Sequence, residues 1–133
     1  MSQSKLIKKN PKVVIVDDSE FSRAMISEML DKEGWIEVVG EAGNADDGAK
    51  IISEKKPDIA IIDIVMPKIS GLDLAKSVNN SLPDTGIIII SSLAQEHVII
   101  DSIGAGALDF IQKPFSKEEL INSIEKIATT EKI

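Results

Sequence analysis

The stretch VVIVDDSEF, residues 13–21, runs four β-branched apolar residues straight into two adjacent carboxylates, Asp17 and Asp18. A continuous apolar run of this kind suits a strand covered on both faces. Ending it on two like charges is unfavourable, since carboxylates about 4 Å apart repel by roughly 4 kcal/mol at an effective dielectric near 20. The reading of the chain turns on what offsets that repulsion.

Outward from this stretch, short apolar runs alternate with helix-like segments. WIEVVGE (35–41), DIAIID (58–63), IIIIS (87–91) and ALDFI (107–111) read as four further strands. Between the first two, Phe21, Met25, Met29 and Leu30 are expected on the buried face of a helix that Gly34 stops. Asn44 is expected to cap a second helix with Asp46 and Asp47 in its first turn, and Pro57 to break the chain before the third strand. A third helix is predicted from about Leu72 and a fourth from about Gln95. A fifth is marked by the capping box of Ser116 and Glu119, followed by Leu120, Ile121, Ile124 and Ile127. Five βα units predict an α/β fold, a doubly wound parallel sheet with helices on both faces and right-handed crossovers. Ligands of such sheets gather outside the carboxyl ends of the strands, at the topological switch point.

Composition narrows the functional classes. A chain of 133 residues fits one domain with its own core. The expected organisation is a flexible basic arm over residues 1–11 and one domain over 12–130. The absence of cysteine excludes disulfides, a thiol nucleophile and thiolate metal sites. Fifteen basic against 22 acidic residues, a net charge of −7, argue against nucleic acid as a partner. No run approaches the roughly 18 apolar residues of a membrane span, and Leu6-Ile7 is too short an apolar core for a signal peptide. The expected location is therefore cytoplasmic. No G-x-x-x-x-G-K-[ST] phosphate loop is present.

The ends of the strands carry the chemistry. The first closes on Asp17-Asp18, the third on Asp63, the fourth on Ser91-Ser92, and Lys113-Pro114 follows the fifth. Each alone has an ordinary explanation: Asp18-Ser19 as a helix cap, Asp63 as a turn residue, Ser91 bonding its own backbone, Lys113 as a solvated surface lysine. Together they fall at the same end of the correct strands. A divalent cation relieves the repulsion of the acidic pair, and all-oxygen ligation selects a hard ion, Mg²⁺ or Mn²⁺. A phosphoryl group beside such a metal needs a cation and hydrogen-bond donors, which Lys113 and Ser91 supply. Asp63 then stands as a carboxylate able to accept the phosphoryl group.

With these residues in view, the chain resembles the receiver domain of two-component response regulators over roughly residues 12–128. VVIVDDS (13–19), IAIIDIVMPKISG (59–71), IIIISS (87–92) and DFIQKPF (109–115) carry the resemblance. It implies a flavodoxin-like sheet of strand order 2-1-3-4-5. It further implies that Asp63 is the phosphoacceptor, and that Asp18, Asp63 and the backbone carbonyl of Val65 hold Mg²⁺, with Asp17 acting through water. Ser91 and Lys113 would contact the phosphoryl group, Lys113-Pro114 would be cis, and Ser91 and Phe110 would form the switch. The implied donor is a sensor histidine kinase. Since ATTEKI ends the chain soon after the fifth helix, a stand-alone regulator is expected. DDSEFSRAMI, IISSLAQEH and VIIDSIGAGALDFIQKPF most resemble the chemotaxis (CheY-like) type, whose partner is the flagellar motor switch protein.

The resemblance has departures. Ser91 stands for a more common Thr, Phe110 for a frequent Tyr, and Asn44-Ala45 for Asn-Gly. A phosphorelay intermediate, or a receiver excised from a larger regulator, would read nearly the same. A flavin-binding flavodoxin-like protein would need uncharged phosphate-binding loops at this edge, which is anionic. An aspartyl phosphatase usually carries a second acid two residues after its nucleophile, where this chain has Val65. In the receiver reading the protein is not an enzyme, because chemistry occurs only on itself. His97 and Trp35 are read as a surface residue and a packing residue.

Overall fold

The structure is a computed structural model describing residues 10–129. Most of the expected basic arm and the last four residues lie outside the described residues. Five strands alternate with five helices: β1 Lys12–Val16, α1 Glu20–Asp31, β2 Glu37–Ala42, α2 Ala45–Lys55, β3 Ile59–Asp63, α3 Gly71–Ser81, β4 Gly86–Ser91, α4 Glu96–Gly104, β5 Asp109–Gln112 and α5 Lys117–Ala128. All pairings are parallel and the sheet order is β2-β1-β3-β4-β5, as expected. The order reverses direction between β1 and β3, so the switch point lies where Asp17 and Asp63 end their strands.

Strand alternation divides the core in two. Val13, Ile15, Ile59, Ile61, Ile88 and Ile90 pack with Ile26 and Leu30 of α1 and with Leu120 and Ile124 of α5. Val14, Val16, Ala60, Ile62, Ile87 and Ile89 pack with Ile52, Leu74, Val78 and Val98 of α2, α3 and α4. Successive side chains leave opposite faces of a strand, so an unbroken apolar run serves both layers. These central-strand residues are at most 1% exposed.

Capping is largely as the sequence predicts. Asn44 accepts from the Asp47 N–H, and Ser116 and Glu119 complete a reciprocal capping box. Ser19 caps α1 by accepting from the Ser22 N–H. Two strand starts move by two residues, the other strand bounds by one at most. The second strand begins at Glu37 rather than Trp35, and its pairing with β1 slips one residue between Val13 and Val14. The fifth begins at Asp109, two residues later than expected.

The buried face of α1 also differs from expectation. Ser22, Ile26 and Leu30 face the core, whereas Phe21 is 78% exposed and Met25 and Met29 are half-buried. The helix turns Ser22 inward because its hydroxyl finds a buried acceptor in the Asp17 carboxylate. Gly34 lies in the turn beyond the helix end, at a φ of 77°.

Candidate functional site

Register brings the acidic residues together. Val16 pairs with Ile62 and Asp63 with Ile90, so Asp17 and Asp63 close neighbouring strands at the same level. Asp17, Asp63 and Lys113 also share the odd parity of Ile15, Ile61 and Ile111, on the α1/α5 side of the sheet. The Lys113 ammonium consequently donates to both carboxylates, at 2.8 Å to Asp17 Oδ2 and 3.3 Å to Asp63 Oδ2. The peptide bond from Lys113 to Pro114 is cis, as expected. One carboxylate oxygen from each of Asp17, Asp18 and Asp63 lies within 4.8 Å of the others.

The three carboxylates differ in their surroundings. Asp17 is fully buried and saturated with donors. Its Oδ1 accepts from the Ser19 N–H at 2.9 Å, and its Oδ2 accepts from Ser22 Oγ at 2.7 Å as well as from Lys113. Burial works to raise its pKa, but these bonds outweigh it and hold the carboxyl below its ordinary value. Among the described residues Asp63 has only Lys113 and a long 3.4 Å bond from the Val65 N–H. Burial, reinforced by the charge of Asp17, pushes its carboxyl up to about 6 despite the lysine. Asp18 is exposed, and among the described residues no hydrogen bond or ion pair holds its side chain. Lys113 is held above its ordinary value: burial would lower it, but its two carboxylate partners prevail.

This donor set fits a hard divalent cation. Three carboxylates face one ammonium, which leaves a charge of about −2 when all are ionised. The available ligand atoms are all oxygens, and among the described residues the Asp18 carboxylate carries no competing protein donor.

The remaining expected residues are placed with varying directness. Ser91 is fully buried at the end of β4, and its Oγ accepts from the Leu93 N–H at 2.9 Å. Its backbone carbonyl accepts from the Lys113 N–H at 2.8 Å, but its hydroxyl makes no hydrogen bond to Asp63 or Lys113 among the described residues. It follows the parity of Ile87 and Ile89, opposite to Asp63. Phe110 is half-buried and packs on the α2–α4 layer. Val65 follows Asp63 in the β3–α3 loop and is 52% exposed. His97 is exposed in the first turn of α4 and Trp35 half-buried, as expected.

Three residues at the site escaped the sequence reading. Ser22 supports Asp17 from α1, and Arg23 Nη1 donates to the Asp17 backbone carbonyl at 2.6 Å. Gly71 begins α3 directly behind Asp63, where a Cβ would overlap the Asp63 carbonyl. The Gly71 signal was present in IAIIDIVMPKISG. Ser22 and Arg23 gave none, because their role depends on the rotation of α1.

Comparison with known proteins agrees with this geometry. The family model described as "Response regulator receiver domain" matches residues 13–125. The chain belongs to that family. The receiver is 38% identical over 117 residues to "Chemotaxis protein CheY" of Thermotoga maritima, covering 88% of this chain and 97% of that protein. It is equally identical, over 90% of its length, to a "Protein-glutamate methylesterase/protein-glutamine glutaminase 1" of Syntrophomonas wolfei, but spans only 37% of that protein. The crystal structure of the response regulator domain of Thermotoga maritima CheB superimposes with a TM-score of 0.85 at 30% identity, covering 93% of this chain and all of that one. Receiver domains take phosphoryl groups from histidine kinases, bind Mg²⁺ at an acidic pocket and bind downstream targets. CheY-like receivers are non-enzymatic signalling domains, although in the methylesterases the receiver adjoins a catalytic domain. Among the described residues no helix is long and apolar enough to cross a membrane.

Proposed function

We propose that this chain is a cytoplasmic, stand-alone chemotaxis regulator whose receiver domain has the bounds 12–130, the last of these residues lying outside the described ones. It accepts a phosphoryl group on Asp63 from a sensor histidine kinase and signals by phosphorylation-dependent protein binding. The observation that carries this reading is the Lys113 ammonium bridging Asp17 and Asp63, with Asp18 alongside. Near-complete coverage of a chemotaxis protein of similar size supports the subtype.

Each residue has a distinct task. An Asp63 carboxylate oxygen attacks phosphorus, forming a P–O bond as the P–N bond of the kinase phosphohistidine breaks. The imidazole nitrogen keeps the bonding pair and takes up a proton from solvent. Lys113 pairs with a phosphoryl oxygen, and the Ser91 O–H donates to another. Asp18, Asp63 and the Val65 carbonyl would hold Mg²⁺, with Asp17 supporting it through water. When bound, the ion neutralises charge on the acceptor and phosphoryl oxygens. Asp17 is committed to Lys113 and Ser22, which keeps the lysine over the acceptor.

Phosphorylation adds nearly two negative charges and three acceptor oxygens. Ser91 then turns from the Leu93 amide toward the phosphoryl group and draws the β4–α4 loop with it. Phe110 moves inward, and the α4–β5–α5 face changes shape for its partner, the flagellar motor switch protein. Both arrangements must lie within a few kcal/mol for this to work.

Intact mass spectrometry after incubation with acetyl phosphate tests the chemistry. One added phosphoryl group that requires both Mg²⁺ and Asp63 supports it; no adduct with Mg²⁺ binding intact opposes it. The match to a methylesterase receiver favours one second reading, a receiver from a larger regulator. Tighter binding of a motor switch peptide to the phosphorylated chain discriminates in favour of the chemotaxis reading.

A further inference from the structure

We infer that Arg23 is a positioning residue for the acidic pair, setting the direction of Asp18 through the Asp17–Asp18 peptide. The inference rests on the metal-assisted phosphotransfer reading above. Both polar groups of Asp17's backbone are held. Its N–H donates to the Ala42 carbonyl at 3.0 Å, and its carbonyl accepts from Arg23 Nη1 at 2.6 Å. That carbonyl belongs to the peptide joining Asp17 to Asp18. The Asp18 side chain has no hydrogen bond or ion pair of its own among the described residues, so its direction is set by the backbone that carries it.

Arg23 is itself held from two sides. Its Nε faces Glu41 Oε1 at 3.6 Å, at the end of β2. Its guanidinium lies against Gly43, where an added Cβ would sit 3.1 Å from Nη1. One planar fork thus ties α1, the end of β1 and the end of β2 at the level of the acidic pair. A guanidinium can satisfy the carbonyl and the carboxylate at once in fixed geometry. A lysine ammonium is a single point donor and reaches one or the other. The bond is charge-assisted and the side chain is only 20% exposed, so water replaces it poorly. Groups that orient metal ligands typically govern affinity by about 10–100-fold.

The test is calorimetric titration of Mg²⁺ into the full chain, together with the Mg²⁺ dependence of acetyl phosphate labelling. Arg23→Met is expected to weaken Mg²⁺ binding by about 10-fold or more. The half-saturating Mg²⁺ concentration for labelling should rise in step, while the rate at saturating Mg²⁺ stays near that of the parent. Arg23→Lys should fall between parent and Arg23→Met, and it serves if the methionine variant does not fold. Gly43→Ala, which crowds the guanidinium, should weaken binding a few-fold in the parent but add nothing in Arg23→Met. A folded Arg23→Met with Mg²⁺ affinity within about twofold of the parent overturns the inference, as does Arg23→Lys with unchanged affinity where the methionine variant does not fold, or a lower plateau rate with unchanged affinity. A parent chain that binds no Mg²⁺ overturns the underlying reading as well, and that outcome is separate from the first two.

Discussion

Replacing Asp63 by Asn should make the metal-free protein more stable, not less. The carboxyl rises from an ordinary 3.8 to about 6, chiefly because it is buried. One pKa unit corresponds to about 1.4 kcal/mol, so an ionised Asp63 costs the fold at most about 3 kcal/mol. Its side chain is 8% exposed, and water at the mouth reduces the expected gain to about 1–3 kcal/mol. The sign follows from proton counting. Between 3.8 and about 6 the folded state keeps a proton that the unfolded chain has lost, so stability falls as pH rises through that window. Asparagine cannot titrate, so the gap between variant and parent should be small near pH 4 and fully open above about pH 6. Asp17 does not blur this window. Its pKa is lowered, so its contribution is present above 3.8 and is lost only as pH falls below that value. Urea unfolding in chelator across this pH range, followed by Trp35 fluorescence, measures the gap. Mg²⁺ should reverse the trend. It should stabilise the parent by about 2.7 kcal/mol at a hundredfold excess over its Kd, and the variant, which lacks one of the three clustered carboxylates, by less. A variant less stable than the parent near neutral pH in chelator, or a gap that ignores pH, would refute the reasoning.

The same geometry sets further expectations. Lys113→Met leaves Asp17 and Asp63 without their cation, and urea unfolding in chelator should show a loss of about 2–4 kcal/mol, partly restored by Mg²⁺. Gly71→Ala must displace the backbone of Asp63 and Ile64, so unfolding should show a loss of about 3 kcal/mol, and phosphoacceptance should fall with it. Val65 is half-exposed two residues after Asp63, the proposed acceptor, and offers an apolar side chain there, so the parent should hold its phosphoryl group for long periods. Val65→Asn should shorten that lifetime severalfold, read as decay of the phosphorylated mass; an unchanged lifetime sinks the proposal that Val65 slows hydrolysis.

The sheet was legible because both of its faces are buried. An unbroken run such as Val13–Val16 must feed two helical layers, and right-handed crossovers then imply a doubly wound sheet, while the strand order came from the family resemblance. Helix faces were less legible. Phe21 and Met25 outrank Ser22 in hydrophobicity, yet Ser22 turns inward because Asp17 offers its hydroxyl a buried acceptor. A tertiary hydrogen bond of that kind has no local periodicity. The same cause hid Arg23, whose partner is a backbone carbonyl that any residue at position 17 would present. The charged side chains at the strand ends were visible because their chemistry is written in their identity. What the sequence withheld is how differently three neighbouring aspartates are treated. Asp17 is locked in place by donors, Asp63 is strained by burial, and Asp18 is free of protein partners among the described residues. That asymmetry answers the repulsion written into Asp17-Asp18. One carboxylate is spent on holding the lysine, so the repulsion left for a cation to relieve lies between Asp18 and Asp63, the pair with coordination to spare.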